Sequence, residues 1–474
     1  MDGGAPLVCV RHKTETRLSC AECSTPICPK CAVKTPVGFK CPDHATAPGR
    51  GRSRRAGRQK LLGPLLLLGL IVGALTLRQA SISKPATFPC PARAAPDVGI
   101  GDRGGGLHWK ELARSPLCGR FYASSAWTGK ELLVWGGQNC AGATCPPDQA
   151  PRMADGAAYN PSSNAWRKLA KSPLVARDRT ATVWTGKELL VWGGTSQDQP
   201  LADGAAYDPA RDAWRAVAPS PLGPRAEPVA VWTGQAMIVW GGTDAADGAA
   251  YDPAANTWRK LAAGPLEPRE GATAAWTGKE VVIWSGASSS LSASGGVALP
   301  DGAAYDPAKD SWRRLSASPL AARVAPSAVW TGQELVIWGG NPGRPEVFAD
   351  GAAYNPATDA WRRIASAPVA ARAGALAVWN GTEMVLWGGL GMGEPASPPT
   401  RGQPPPGFDG GIVPLGDGAT FNPATNTWRR LERATLLARG YATGAWDGQG
   451  FIIWGGLVSV DSPASAADGA RYVP

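Results

Sequence analysis

Eight residues near the start of this chain have the types and spacing of metal ligands. Cys9 and His12, Cys20 and Cys23, Cys28 and Cys31, and Cys41 and His44 form four pairs, each with two residues between the partners. A pair at that spacing can chelate one side of a tetrahedral zinc ion, so four pairs amount to two closed, structural sites. Thiolates this dense in so short a segment have no apolar core to support them otherwise, which makes two zinc ions the expected cofactor. The other four cysteines, Cys90, Cys118, Cys140 and Cys145, are candidates for disulfides. Three pairings are open to them.

The order C-x2-H, C-x2-C, C-x2-C, C-x2-H resembles the B-box type of zinc finger. That resemblance implies a cross-brace, with Cys9, His12, Cys28 and Cys31 on one ion and Cys20, Cys23, Cys41 and His44 on the other. It also implies a protein-binding role for residues 1–48.

Elsewhere the sequence offers little for catalysis. No nucleophile motif, phosphate loop or metal cluster follows residue 106, and the one histidine there, His108, is too few for a copper centre. Carboxylates and arginines could still serve an epimerase. The placement of Glu227, Glu267, Glu270, Glu346 and Glu383 decides this point: a pair deep in an apolar channel favours an enzyme, an open polar rim favours binding.

The elements that position these groups are set by tryptophan. One Trp stands at 109, 166, 214, 258, 312, 361 and 428, a second at 127, 184, 232, 276, 330, 379 and 446, and a third eight residues after the second. Three per unit in seven units account for all 21. In the second unit, Arg179 to Trp184 and Glu188 to Trp192 read as strands joined by a tight turn, with a third strand through Tyr207 and a fourth through Trp214. Asp-Pro or Asn-Pro marks the turn between the third and fourth, because proline cannot donate to a ladder. Runs such as LLVW are apolar on both faces, as expected of a small sheet packed between two others. The tryptophans are read as that packing, with stacking on sugar as the minor alternative.

Gly-Gly, then Tyr-Asp-Pro, then Trp resembles the kelch repeat, a four-stranded blade of a β-propeller, over residues 107–474. The resemblance implies a mainly β fold with seven blades. Ser285 replaces the first Gly of one pair. The region opens on a fourth strand at Trp109 and ends on a third at Asp468-Gly469, so the last blade should draw three strands from the C-terminus and one from the N-terminus, leaving no open edge.

Length variation falls between the second and third strands, where 7 to 30 positions separate the third Trp from the next Asp-Gly. Those loops share a face with the connections between blades, and that face is the expected binding surface. The loop from Gly389 to Gly416 is the longest and reads as a tolerated insertion, with a lid or partner-binding tip as the alternative. The same face carries Arg120, Arg177, Arg225, Arg269, Arg323, Arg372 and Arg439, and the Asp-Gly residues Asp155, Asp203, Asp247, Asp301, Asp350, Asp417 and Asp468. Groups repeated in every unit are architectural, so a ring of Arg to Asp bridges is expected in preference to ligand contacts.

The net charge of +10 is uneven. Residues 1–60 hold 12 basic groups against 4 acidic, whereas residues 97–474 are near balance at 33 against 34. The propeller therefore gives no electrostatic case for nucleic acid. The basic excess of residues 49–60 leads into residues 61–77, LLGPLLLLGLIVGALTL, which read as one transmembrane helix. By the positive-inside rule the zinc module stays in the cytoplasm and the propeller is translocated. A cleaved signal peptide is the rival, disfavoured by the 60 residues ahead of it. Residues 78–106, rich in Pro, Ala and Gly, read as a tether. Cysteine use agrees, since Cys90, Cys118, Cys140 and Cys145 fall on the side where disulfides persist. Pairing Cys140 with Cys145 leaves Cys90 with Cys118.

These readings converge on a single-pass protein of the cell membrane, with its N-terminus cytoplasmic and its propeller extracytoplasmic. Its propeller would bind a protein or glycan outside and its zinc module a protein inside. An extracytoplasmic carbohydrate-active enzyme, similar to a sugar epimerase, is the alternative.

Overall fold

Four-residue runs such as Leu132–Trp135 and Val281–Trp284 are buried along their whole length. A strand this short can bury both faces only where other sheets flank it on either side. In the computed structural model, seven four-stranded antiparallel sheets meet that need. The structure describes residues 108–474 except 140–149, 198, 289–296, 344–345, 393–411 and 460–463, together with four short strands nearer the N-terminus.

Blades 1 to 7 are numbered by their first strands: Ser124–Trp127, Ala181–Trp184, Val229–Trp232, Thr273–Trp276, Ser327–Trp330, Leu376–Trp379 and Thr443–Trp446. Each first strand touches those of the two adjacent blades, and blade 7 touches blade 1, so the sheets form a closed ring around a central channel. Seven apolar cores fill the spaces between consecutive blades.

Closure occurs where it was expected. In blade 7 the strand Gly469–Tyr472 pairs with Trp109–Glu111, placing Tyr472 opposite Trp109. The third Trp of every unit is fully buried and meets the fourth-strand Trp of the next blade, as Trp135 meets Trp214 at 5.6 Å. Trp387 reaches Trp109 at 6.1 Å and Trp454 reaches Trp166 at 5.5 Å, so the pattern runs unbroken through the seam. The outer indoles also donate to the preceding blade, as Trp109 Nε1 does to the Glu432 carbonyl (3.2 Å).

One strand start differs from the sequence expectation. Blade 2 begins at Ala181, because Arg179 has φ 54° and lies in the left-handed region, which ends a strand. At the base of the long insertion, Leu390–Met392 pairs with Ile412–Pro414, so its two ends form a ribbon.

Residues 1–85 form a separate unit. Leu7–Val8 pairs with Glu15–Thr16 across Cys9 and His12 in the sequence, and Val33–Thr35 pairs with Gly38–Lys40 between Cys31 and Cys41. Among the described residues no helix is long and apolar enough to cross a membrane; residues 61–77 lie outside them.

Candidate functional site

The connections between blades and the loops between second and third strands share one face of the ring, here the loop face. The recurring arginines stand on it, each just ahead of a first strand. All seven expected bridges form, from Arg177 to Asp203 at 2.7 Å to Arg323 to Asp350 at 3.0 Å. The guanidinium groups are buried while the carboxylates stay roughly half-exposed. Each Arg also donates to the carbonyl that ends the second strand of its own blade, as Arg323 does to Gly339 (2.9 Å). Burial lowers the affinity of Arg120 for its proton, and Asp155 opposes that effect. At Asp203 burial raises the carboxyl, but Arg177 outweighs it, and the group titrates below its usual range.

The arginine main chain does a second job. Its carbonyl accepts the N–H of the second glycine in the preceding blade, as Arg177 does from Gly137 (2.9 Å) and Arg120 from Gly456 (2.8 Å). One residue thus clamps its own blade by side chain and its neighbour by backbone. Ser285 fits this scheme without disturbing the blade count. Its hydroxyl accepts the Arg323 N–H (2.8 Å) and contacts the Leu299 carbonyl at 2.9 Å, where blade 2 uses a direct bond from Arg225 to Leu201.

Residue type varies two positions past each of these arginines. The seven positions hold Tyr122, Arg179, Glu227, Gly271, Ala325, Gly374 and Tyr441, and all have φ between 49° and 62°. Holding a non-glycine residue there costs on the order of 1 kcal/mol, so five such residues in one ring are a built feature. The left-handed turns point the main chain at the adjacent blade: Glu227 N–H donates to Arg179 (3.0 Å) and Tyr441 N–H to Gly374 (2.9 Å).

Four of the side chains form a continuous arc. The rings of Tyr441 and Tyr122 lie 4.6 Å apart, the Arg179 guanidinium sits 5.0 Å from the Tyr122 ring centre, and Arg179 Nε lies 3.1 Å from Glu227 Oε1. Gly374 makes room at one end, whereas at the other Gly271 leaves Glu227 at ordinary contact distance. A Cβ on Gly374 would fall 2.5 Å from the Tyr441 ring, and one on Gly271 would fall 3.5 Å from Glu227 Oε2. The arc lines a cavity of about 1490 Å³, with Glu270, Asp244 and Arg152 also on its wall. Glu270 accepts the Thr243 hydroxyl (3.1 Å), and Arg152 lies 3.6 Å from the buried Asp178. Ser125 and Thr182, on the first strands of blades 1 and 2, also line the cavity.

Burial pushes the Glu227 carboxyl above its usual range, and Glu270 and Asp178 add to the effect against the pull of Arg179. Burial likewise raises both phenols, Tyr122 well above the ordinary tyrosine range. Burial works against the charge on Arg179, but Glu227, Tyr122 and the neighbouring acids prevail and raise its proton affinity.

Of the five carboxylates whose placement was in question, Glu227 and Glu270 share the cavity. Glu267 and Glu346 are exposed outside it, and Glu383 pairs with Arg429 (3.5 Å) on the opposite, hairpin face. That face is largely consumed by architecture. Glu131 with Arg167 and Glu188 with Arg215 form ion pairs there, and the arginines donate onward to Tyr207 and Tyr251 of the next blade. His108, next to the closing strand, contacts the Val473 carbonyl at 2.8 Å.

Cys118 is disulfide-bonded. Cys90, Cys140 and Cys145 lie outside the described residues, as do Cys9, His12, Cys20, Cys23, Cys28, Cys31, Cys41 and His44. Among the described residues no group of His, Cys, Asp or Glu is arranged to hold a metal.

This fold is that of a kelch propeller, and sequence comparison agrees. The domain model described as KLHDC2/KLHL20/DRC7 Kelch-repeats domain matches residues 107–286 and 216–389. The chain belongs to the Kelch-repeat family. No curated protein matches it.

Proposed function

We propose that the chain is a membrane-anchored recognition protein. The propeller binds a protein or glycan outside the membrane, through its loop face. Residues 61–77 hold the chain in the bilayer with the N-terminus in the cytoplasm. There, a module built on two zinc ions, held by the four Cys/His pairs of residues 9–44, binds a protein partner. One short strand pair flanking Cys9 and His12 and another between Cys31 and Cys41 suit a small metal-braced module.

The observation that carries the recognition reading is a contrast between faces. On the hairpin face Glu131, Arg167, Glu188 and Arg215 are engaged within their own blades and with the next one, whereas the loop face holds the variable loops and the cavity. Val175, Val297, Met392 and Leu437, the exposed large hydrophobics among the described residues, all stand in loops or connections of the loop face. Exposed apolar groups gathered on one face of the ring suit that face to contact with a partner.

The carboxylate pair Glu227 and Glu270 favours a second reading, a carbohydrate-active enzyme similar to an epimerase, in which Glu227 would move a proton. A glycan and surface-proteome screen with residues 97–474 separates the two. Saturable binding without conversion supports recognition, and turnover of a bound sugar would replace it with the enzyme.

A further inference from the structure

We propose that the arc Tyr441, Tyr122, Arg179 and Glu227 is a binding site for a neutral saccharide unit presented by a glycan. The inference rests on the recognition reading and names the ligand class of its cavity.

Three features lead there. The arc's Arg179 is paired with Glu227, and Arg152 on the cavity wall with Asp178, so the guanidinium groups are not free to draw an anion. A paired guanidinium and carboxylate, each with spare donors or acceptors, suits adjacent hydroxyls that both donate and accept. Arg179 and Glu227 keep 34% and 30% of their side chains exposed, so both remain reachable from the cavity.

The second feature is the aromatic pair. Tyr122 and Tyr441 are half-buried, tilted 47° to one another and both on the cavity wall; Tyr122 is flanked by Arg179 and Phe121, which leaves Tyr441 as the ring at the open end of the arc. The C–H face of a pyranose fits such a ring, and its hydroxyls reach the groups alongside.

The third is asymmetry. Blades 4, 5 and 6 contribute only Gly271, Ala325 and Gly374 at the positions where blades 7, 1, 2 and 3 place the arc. One half of the mouth reads chemistry and the other provides space. Glu270 and Asp244 add negative charge to the wall, which disfavours uronic acids and other acidic sugars.

The test uses the full chain in lipid nanodiscs. Its probes are polyacrylamide conjugates of glucose, galactose, mannose and N-acetylglucosamine, with a glucuronate conjugate and polylysine as charged controls. At least one neutral conjugate should bind saturably. The double variant Arg179→Gln with Glu227→Gln, which removes both charges together, should weaken that binding about tenfold or more. Tyr441→Ala provides an independent variant that should weaken the same binding, and a cooperative thermal melt in either verifies the fold. Binding of glucuronate or polylysine alone, no binding of neutral conjugates, or undiminished binding by a folded double variant would each overturn the inference. A protein partner still bound through the loop face would then leave the recognition reading standing; loss of both would remove the two together.

Discussion

Arg179 of blade 2 and Glu227 of blade 3 occupy equivalent positions in their units and meet at 3.1 Å across the joint between them. Two copies of one structural slot have thus become two halves of an ion pair facing the channel. The slot two residues past the ring arginine is one of the places where the seven units differ, and it is the one whose side chains form the arc.

The titration of Glu227 gives the first prediction. Its folded carboxyl lies above the usual range, so its contribution to stability is greatest below the unfolded value and is lost as pH rises through the raised one. Glu227→Gln removes that dependence. The melting temperature of the variant relative to the parent should therefore shift in the variant's favour between about pH 4 and about pH 7. A difference independent of pH would contradict the assignment.

Asp203 behaves in the opposite sense. Held below its usual range by Arg177, it stabilises the fold above the unfolded carboxyl value, and that support is lost as pH falls through the depressed one. Asp203→Asn should flatten the acid limb of the stability profile, which denaturant melts at several pH values would show.

Removing a ring arginine is expected to be costly. Arg323 is fully buried, bridges Asp350 and donates to Gly339, and Arg323→Met leaves those acceptors without their donor. A loss of about 3 kcal/mol is expected, toward the low end for a broken buried pair because Asp350 stays 43% exposed. An unchanged melt would show the ring to be dispensable for stability.

Closure can be tested through Trp109, the only element of blade 7 drawn from the N-terminal side. Trp109→Ala removes a buried indole packed on Trp387 and Tyr472, and should cost about 3 to 5 kcal/mol. A fragment lacking residues 97–112 should fare worse, and one as stable as the parent would contradict a sealed ring.

What could be read from the sequence follows from repetition. Seven tryptophan triplets fixed in spacing define the blades, and the Arg and Asp residues stand out because every blade needs the same clamp. The borrowed strand was legible because Trp109 opens the region as a fourth strand and Asp468-Gly469 closes it as a third. The arc was not legible, since its residues share neither type nor charge. Aligning the seven units shows the slots just past the ring arginine to vary in type, but only the structure shows that the second of them, holding Tyr122, Arg179, Glu227 and Tyr441, faces the channel. The start of the first strand was misplaced for the same reason: Arg179 looks strand-forming by context, but the turn toward the next blade holds it left-handed.

The zinc and membrane proposals have separate readouts. Metal analysis of the full chain should give two zinc ions per chain, with Cys9→Ser lowering the content. In sealed membrane vesicles, protease added outside should reach either the zinc module or the propeller, never both.

The most direct test of recognition through the loop face compares two variants of the full chain against whatever partner the binding screen identifies. Val175→Glu with Leu437→Glu alters the loop face, where both side chains are exposed, and Lys130→Glu with Lys187→Glu alters exposed turns of the hairpin face. The account predicts that the first pair weakens binding about tenfold or more while the second leaves it unchanged. Loss through the hairpin face with full binding by the loop-face variant would contradict it.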